Sequence, residues 1–270
     1  MEGTPGDDGA RVLLRIERGH AEIELAAGRL NLVTRALLRG LLAVLRQIES
    51  APDIRCVVLH GHAKAFCAGS DIGEFASLGA DASERKILFE DHVLRCLAAL
   101  PMPTIAAIDG VALGGGFELA LACDMRVAGA KARIGLPESR LGGLAASGAV
   151  RLARLVGPAR AKELLFTGAI LDARTALDWG LVNRLGEDAV MEARLMANEI
   201  AQRGPLSNRL AKRLVDAALD QPLDAALSLA NAAQQRIFDG PDLREGADAF
   251  FAKRDPVFPS RSPATEGRST

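Results

Sequence analysis

The 270-residue chain is 49% hydrophobic but only 4% aromatic, with no tyrosine, so its core must be built mainly from Leu, Val, Ile and Ala. That length fits one large domain, or one domain with a small appendage. A formal net charge of −1 gives neither nucleic acid nor an anionic membrane surface an electrostatic hold, and both are excluded as main partners.

The four cysteines, Cys56, Cys67, Cys96 and Cys123, contain no Cys-x-x-Cys pair and fit reduced thiols better than a disulfide framework or a zinc site. Met1 to Ala10 lacks the basic and apolar regions of a signal peptide, and no apolar run reaches the ~20 residues of a membrane span. A soluble protein of a reducing, cytoplasmic compartment is expected.

In chain order, residues 1–10 read as a disordered, Gly/Asp/Pro-rich lead-in. Val12 to Ile16 and Ala21 to Leu25 are short strands around a turn at Gly19. Thr34 caps a helix whose Leu38, Leu41, Leu42, Leu45 and Ile48 recur at helical spacing. Cys56 to His60 is a buried strand, and residues 61–73 form a loop. A second helix runs from about Ser83 to Leu100, stopped by Pro101 and Pro103. The apolar run Thr104 to Ile108 ends in the turn pair Asp109-Gly110, and extended segments follow near Met125 to Ala128 and Ala132 to Leu136. From Val150 onward the pattern is mainly helical, broken at Gly-Pro and Gln-Pro pairs. The expected division is an α/β core over 11–200, a helical region over 201–258 and a flexible tail over 259–270. A faint recurrence of helix, strand and Gly-rich turn at 34–73 and 83–116 hints at repeated β-β-α units.

Chemistry concentrates in Gly110 to Asp124. Three glycines, Gly114 to Gly116, open directly into a helix, which marks a place where something must approach the backbone closely. Unpaired N–H groups at that helix start offer donors to a developing negative charge, and Glu118 lies in the first turn. Glu138 follows a proline at the end of a short strand. On position alone Glu138 reads more as an ordinary surface residue than as a catalytic group, and Glu118 less strongly as a helix N-terminal charge, while Asp71 fits a tight turn that bonds its own backbone. Phosphate-loop, dinucleotide and nucleophile-elbow patterns each lack a required residue. His60 and His62 bracket Gly61 without a metal-ligand cluster in the sequence around them.

The combination resembles the enoyl-CoA hydratase/isomerase (crotonase) superfamily over nearly the whole chain. The matching residues are Asn31; Val57-Val-Leu-His-Gly61; Lys64-Ala-Phe-Cys-Ala-Gly-Ser-Asp-Ile72; Pro103 through Ala120; Cys123-Asp124; Leu136-Pro-Glu138; Arg151 through Gly157; Ala176 with Gly180-Leu-Val-Asn183; and Glu245 through Phe258. The resemblance implies a spiral of β-β-α units with a C-terminal helical trimerisation region, assembled as a homotrimer or homohexamer. It also implies an acyl-CoA thioester substrate and no cofactor beyond the CoA that the substrate carries.

By the same resemblance, the thioester oxygen lies between the backbone N–H groups of Ser70 and Gly115, where fixed donors stabilise enolate charge. Glu118 accepts a proton from the water that adds to Cβ, and Glu138 helps hold that water and protonates Cα. Lys64, Ala68, Asp71 and Ile72 belong to the loop that follows the CoA, and Lys253 and Arg254 either are solvated surface charges or reach toward a CoA phosphate. The implied activity is hydration of a 2,3-unsaturated acyl-CoA. Double-bond isomerisation or another acyl-CoA lyase or hydrolase reaction of the fold is the alternative, with an idle CoA-binding scaffold behind it. One departure stands beside Glu138: Gly143-Leu-Ala-Ala-Ser-Gly-Ala149 is about one residue shorter than the usual Gly-rich segment and lacks its proline.

Overall fold

A computed structural model describes residues 3–5, 11–17, 19–62, 65–75 and 78–259. Strand β1 (Gly3–Pro5) lies within the expected lead-in and pairs antiparallel with β2 (Arg11–Glu17). The rest of that lead-in, and the tail from residue 260, fall outside the described residues. Gly19, at φ +87°, turns β2 back into β3 (His20–Ala26). Thr34 then caps α1 (Arg35–Ser50), its side chain accepting from the Leu37 N–H at 3.1 Å.

Next come β4 (Cys56–Gly61) and the single turn α2 (Ile72–Phe75). The expected second helix is present with an irregular start, a π-helical turn over Ser83–Ile87 that leads into α3 (Leu88–Ala98). Strand β5 (Thr104–Ile108), strand β6 (Val111–Leu113) and α4 (Gly115–Leu121) make up the Gly-rich region. Strands β7 (Met125–Gly129) and β8 (Arg133–Gly135) precede a 3₁₀ turn over Pro137–Leu141. The remainder is α5 (Ala146–Thr167, kinked at Gly157), β9 (Ile170–Asp172), α6 (Ala173–Asp178), β10 (Arg184–Gly186) and α7 (Ala189–Ala201). Three helices are the last elements of the described residues, α8 (Pro205–Asp220), α9 (Leu223–Asp239) and α10 (Pro241–Ala252).

Seven strands form one sheet in the order β1-β2-β3-β4-β5-β7-β10, parallel from β3 onward. A second sheet of three strands runs β6-β8-β9. Strands buried on both faces should be mostly apolar, and β4 and β5 are, apart from His60 and Thr104. Their alternate residues divide between two cores. Val57, Leu59, Ala106 and Ile108 join Leu37, Leu41, Leu45 and Ile48 of α1. Cys56, Val58, Ile105 and Ala107 meet Ala189, Ala193 and Met196 of α7 on the other side. Cys56, Cys67 and Cys123 are buried in this packing, which pushes their thiols up to about 12, and all four cysteines are unpaired. Among the described residues no helix is long and apolar enough to cross a membrane.

Polar residues tie the layers together at a few points. Glu22 takes a two-pronged contact from Arg194 of α7, at 2.6 and 2.8 Å, and this holds its carboxyl below the usual range. His60 and His62 do find carboxylates, across β3: His60 is 3.9 Å from Glu22, and His62 bonds Glu24 at 2.5 Å. Arg126 is buried and gives its guanidinium to the carbonyls of Ala120, Cys123 and Leu181, at 3.2, 2.9 and 2.7 Å. It thereby supplies the cation that favours the C-terminal end of α4.

At its other end α4 is held by close backbone contact. A Cβ on Gly116 would lie 2.2 Å from the Cys67 carbonyl oxygen, so only glycine lets α4 come this near to the 66–70 segment. Gly116→Ala is therefore expected to lower the unfolding free energy by about 2–3 kcal/mol, the cost of overpacking against backbone that cannot rotate away. A urea titration with unchanged slope and a lower midpoint would show it.

Candidate active site

Two loops meet where α4 begins. In the first, residues 66–71 are stitched on both sides. The N–H groups of Phe66 and Cys67 donate to the Asp109 and Val111 carbonyls, and Leu113 donates back to Cys67. On the opposite flank Ala68 donates to Leu30 O, Val33 to Gly69 O and Asp71 to Val33 O, at 2.9, 2.8 and 3.2 Å. Gly69 turns the chain at φ +113°, and Ser70 bridges Val33 in parallel fashion. Among the described residues the Ser70 N–H makes no hydrogen bond.

The second loop is the β6–α4 turn. Gly114 sits at φ +52°, ψ −129°, a conformation that disfavours any side chain, and it delivers Gly115 to the first position of α4. The Gly115 N–H is one of the helix-start donors without an intrahelical acceptor, and it too makes no hydrogen bond among the described residues. A Cβ on Gly115 would lie 3.0 Å from Ser70 Oγ, so the two donor residues adjoin.

The glutamates converge through strand pairing. Leu113 of β6 is in register with Gly135 of β8, and the Gly114 N–H donates to Gly135 O at 3.0 Å. Both chains leave this point together, so Glu118 one turn into α4 and Glu138 in the 3₁₀ turn arrive on the same side. Glu138 Oε1 lies 2.9 Å from the Cβ position on Gly114. Its Oε2 is buried and has no hydrogen-bond partner among the described residues. Burying such an oxygen costs about 1–3 kcal/mol unless a group in the site meets it.

Glu118 is buried, and its Oε1 accepts from the Gly148 N–H at 2.5 Å. The shortened segment after Glu138 therefore has a positioning task. Gly143 N–H returns to Glu138 O, α5 starts at Ala146, and Gly148 delivers its N–H to Glu118. A Cβ on Gly148 would lie 2.9 Å from Leu136 and 3.2 Å from Glu118, which explains a glycine there. Burial pushes the Glu118 carboxyl up to about 7; the Gly148 N–H opposes this, while Glu90 and Glu138 add to it. Glu138 is also raised, mainly by burial and then by Glu90.

The structure thus brings together Ser70, Gly115, Glu118 and Glu138. Lys64 lies outside the described residues. Ala68 is half-buried in the stitched loop, Asp71 accepts from the Gly73 N–H at 2.8 Å in the turn arrangement, and Ile72 is exposed at the start of α2. Arg254 is engaged by Glu245 through two contacts of 2.6 and 3.0 Å, and Lys253 takes a left-handed conformation just after α10. Two residues absent from the sequence reading also face the site. Lys86 Nζ is 3.5 Å from Ser70 Oγ and 3.0 Å from Glu90 Oε2, and Glu90 Oε1 is 3.2 Å from the Cβ position on Gly115. Their i,i+4 spacing is visible in sequence, but it reads as an ordinary surface ion pair.

Comparison with known proteins decides the family. The family model described as enoyl-CoA hydratase/isomerase matches residues 15–261. The chain belongs to the enoyl-CoA hydratase/isomerase family. It shares 38% identity over 253 residues with a Thermus thermophilus protein named provisionally as an enoyl-CoA hydratase, covering 91% of this chain and all of that one. Rat mitochondrial methylglutaconyl-CoA hydratase is 36% identical over 84% of this chain and 75% of its own length. The crystal structure of an enoyl-CoA hydratase from Bacillus anthracis superposes with a TM-score of 0.88 at 35% identity, over 92% of this chain and 98% of that one. The spiral α/β architecture is thus the crotonase fold, and the chain is an enzyme of this family.

The raised Glu118 carboxyl carries a stability consequence. Its folded value, about 7, exceeds the unfolded value of about 4.5, so its contribution is fully present below pH 4.5 and is lost as pH rises through 7. Glu118→Gln removes this penalty. Relative to wild type, the variant should gain up to about 3 kcal/mol between pH 5 and pH 8, read from denaturation curves at the two pH values.

Proposed function

We propose that this enzyme adds water across the double bond of a 2,3-unsaturated acyl-CoA. The observation that carries the reading is the convergence of two carboxyls with raised affinity for protons on the place where the Ser70 and Gly115 N–H groups adjoin. In this reading the thioester oxygen accepts from both N–H groups, with no metal or redox cofactor taking part. As water oxygen bonds to Cβ, the π electrons move toward the thioester oxygen and form an enolate. Glu118, ionised, takes the proton that the water loses. Glu138, neutral, gives its proton to Cα as the enolate collapses, and one proton passing between the two glutamates restores the start. Like charges this near each other resist double ionisation, which suits a pair that begins with a single proton.

Each N–H donor in such a site is typically worth about 2.7–4 kcal/mol of transition-state stabilisation. Each general acid or base contributes roughly 10²–10⁴-fold. Mixed with crotonyl-CoA, the protein should bleach the conjugated-thioester absorbance, and Glu118→Gln or Glu138→Gln should each slow this by 10²-fold or more. Activity that survives both substitutions together overturns the reading. The pH profile should rise through about 7 as Glu118 ionises.

Double-bond isomerisation is the second reading, favoured by the unpartnered Oε2 of Glu138, because moving a proton between two carbons needs only that carboxyl. An isomerase would keep its rate in Glu118→Gln and yield a shifted alkene rather than a hydroxyacyl product.

The same reading includes a homotrimer or a dimer of trimers. Its support is the apolar surface left on the C-terminal helices, where Leu223, Leu227, Phe250 and Phe251 are exposed. Phe251→Asp should lower the mass measured by sedimentation toward that of a monomer.

A further inference from the structure

The pair Lys86–Glu90 touches both donor residues of the site without a part in the reaction outlined above. Lys86 comes from the π-helical turn and Glu90 from the first turn of α3. Both side chains are largely enclosed, 16% and 15% exposed, and their ion pair measures 3.0 Å. Glu90 uses Oε2 for Lys86. Its Oε1 points at Gly115, 3.2 Å from where a Cβ would lie, and accepts no hydrogen bond among the described residues. Glu90 also reaches the catalytic pair electrostatically, since it helps to raise both Glu118 and Glu138. It lies beside the Gly115 donor, on the α3 side of the site.

A carboxylate in that place works against enolate formation, and Lys86 offsets its charge. An apolar side chain would avoid the conflict altogether, so the acidic group needs something to receive. A hydrocarbon chain packed against Oε1 would strip it of water and return no donor, whereas a hydroxyl would replace the lost hydrogen bond. We propose that Glu90, held by Lys86, selects acyl groups bearing a hydroxyl just beyond the 2,3 double bond over plain hydrocarbon acyl groups. The proposal rests on the acyl-CoA reading for the placement of the thioester; it does not depend on which reaction follows.

Two thioesters test it, trans-4-hydroxybut-2-enoyl-CoA and trans-pent-2-enoyl-CoA, which differ by a hydroxyl in place of a methyl. Their dissociation constants are measured on the Glu118→Gln/Glu138→Gln protein, where the proposed chemistry is blocked, with and without Glu90→Leu. The hydroxylated thioester should bind about 10-fold more tightly, and Glu90→Leu should erase or invert that ratio. Glu90→Gln, which keeps the shape and an acceptor oxygen, should retain part of the preference even if Glu90→Leu folds poorly. Equal affinities, or a ratio unmoved by Glu90→Leu, would overturn the proposal and leave the pair as a strut between Ser70 and Gly115. Failure of both thioesters to bind would instead overturn the acyl-CoA reading. Selective binding without turnover in the wild-type enzyme would count against hydration alone.

Discussion

The arrangement depends on how close two backbones come. With no side chain at Gly116, α4 rests against the Cys67 carbonyl, and the strand-like segment 66–71 is trapped between β6 and residues 30–33. Everything chemical is referred to that contact. Ser70 and Gly115 lie on its two sides, Glu118 is one helical turn further along, and Glu138 is tied in by the pairing of Leu113 with Gly135. Main-chain bonds and a buried Arg126 at the far end of α4 hold these groups, so in the proposed reaction they would need no rearrangement as charge develops. Identity of the residue at position 70 matters little to a backbone donor; its φ, ψ and neighbours matter a great deal.

The electrostatics of the chamber follow from burial. Three carboxyls, those of Glu90, Glu118 and Glu138, share a small space with a single ammonium, that of Lys86, among the residues that shift Glu118. Water would damp their repulsion, but the packing of Leu136, Val33 and α5 around them reduces that damping. Protons become the cheapest way to relieve the field, and an enclosed carboxyl that holds its proton near neutrality suits acid–base exchange with carbon. The folded chain is strained here in a way its unfolded form is not.

Much of this architecture is legible in the sequence. Thr34 with its helical repeat, the apolar strands Cys56 to His60 and Thr104 to Ile108, and the glycines opening α4 each carry a local signal strong enough to stand alone. Ser70, Gly115, Glu118 and Glu138 become a set only through the family resemblance, because nothing local says that residues 70 and 115 adjoin. Other features leave little trace. Strand β6 is three residues long and hides in a Gly-rich stretch, where β pairing is fixed by partners far along the chain. The turn in which Asp71 accepts from Gly73 follows the simple local rule. Lys86 and Glu90 resemble the exposed pair Asp91–Arg95 in sequence spacing, and only the way α3 faces the chamber separates them.

The π-helical turn that carries Lys86 gives this chamber an unusual route to change. Such a turn accommodates one residue more than an α-helical turn of the same rise, and it commonly persists where a side chain must be presented at a particular angle. Removing one codon there would let the segment relax to α-helix and rotate what precedes it relative to α3 by about 100°. The approach of Lys86 to Ser70 and Glu90 would change, whereas the Gly116 contact, the two donors and both glutamates belong to other segments. If Glu90 reads the acyl group as proposed, new acyl preferences are reachable by insertion and deletion in a part of the chain outside the Gly116 contact, rather than only by exchanging side chains.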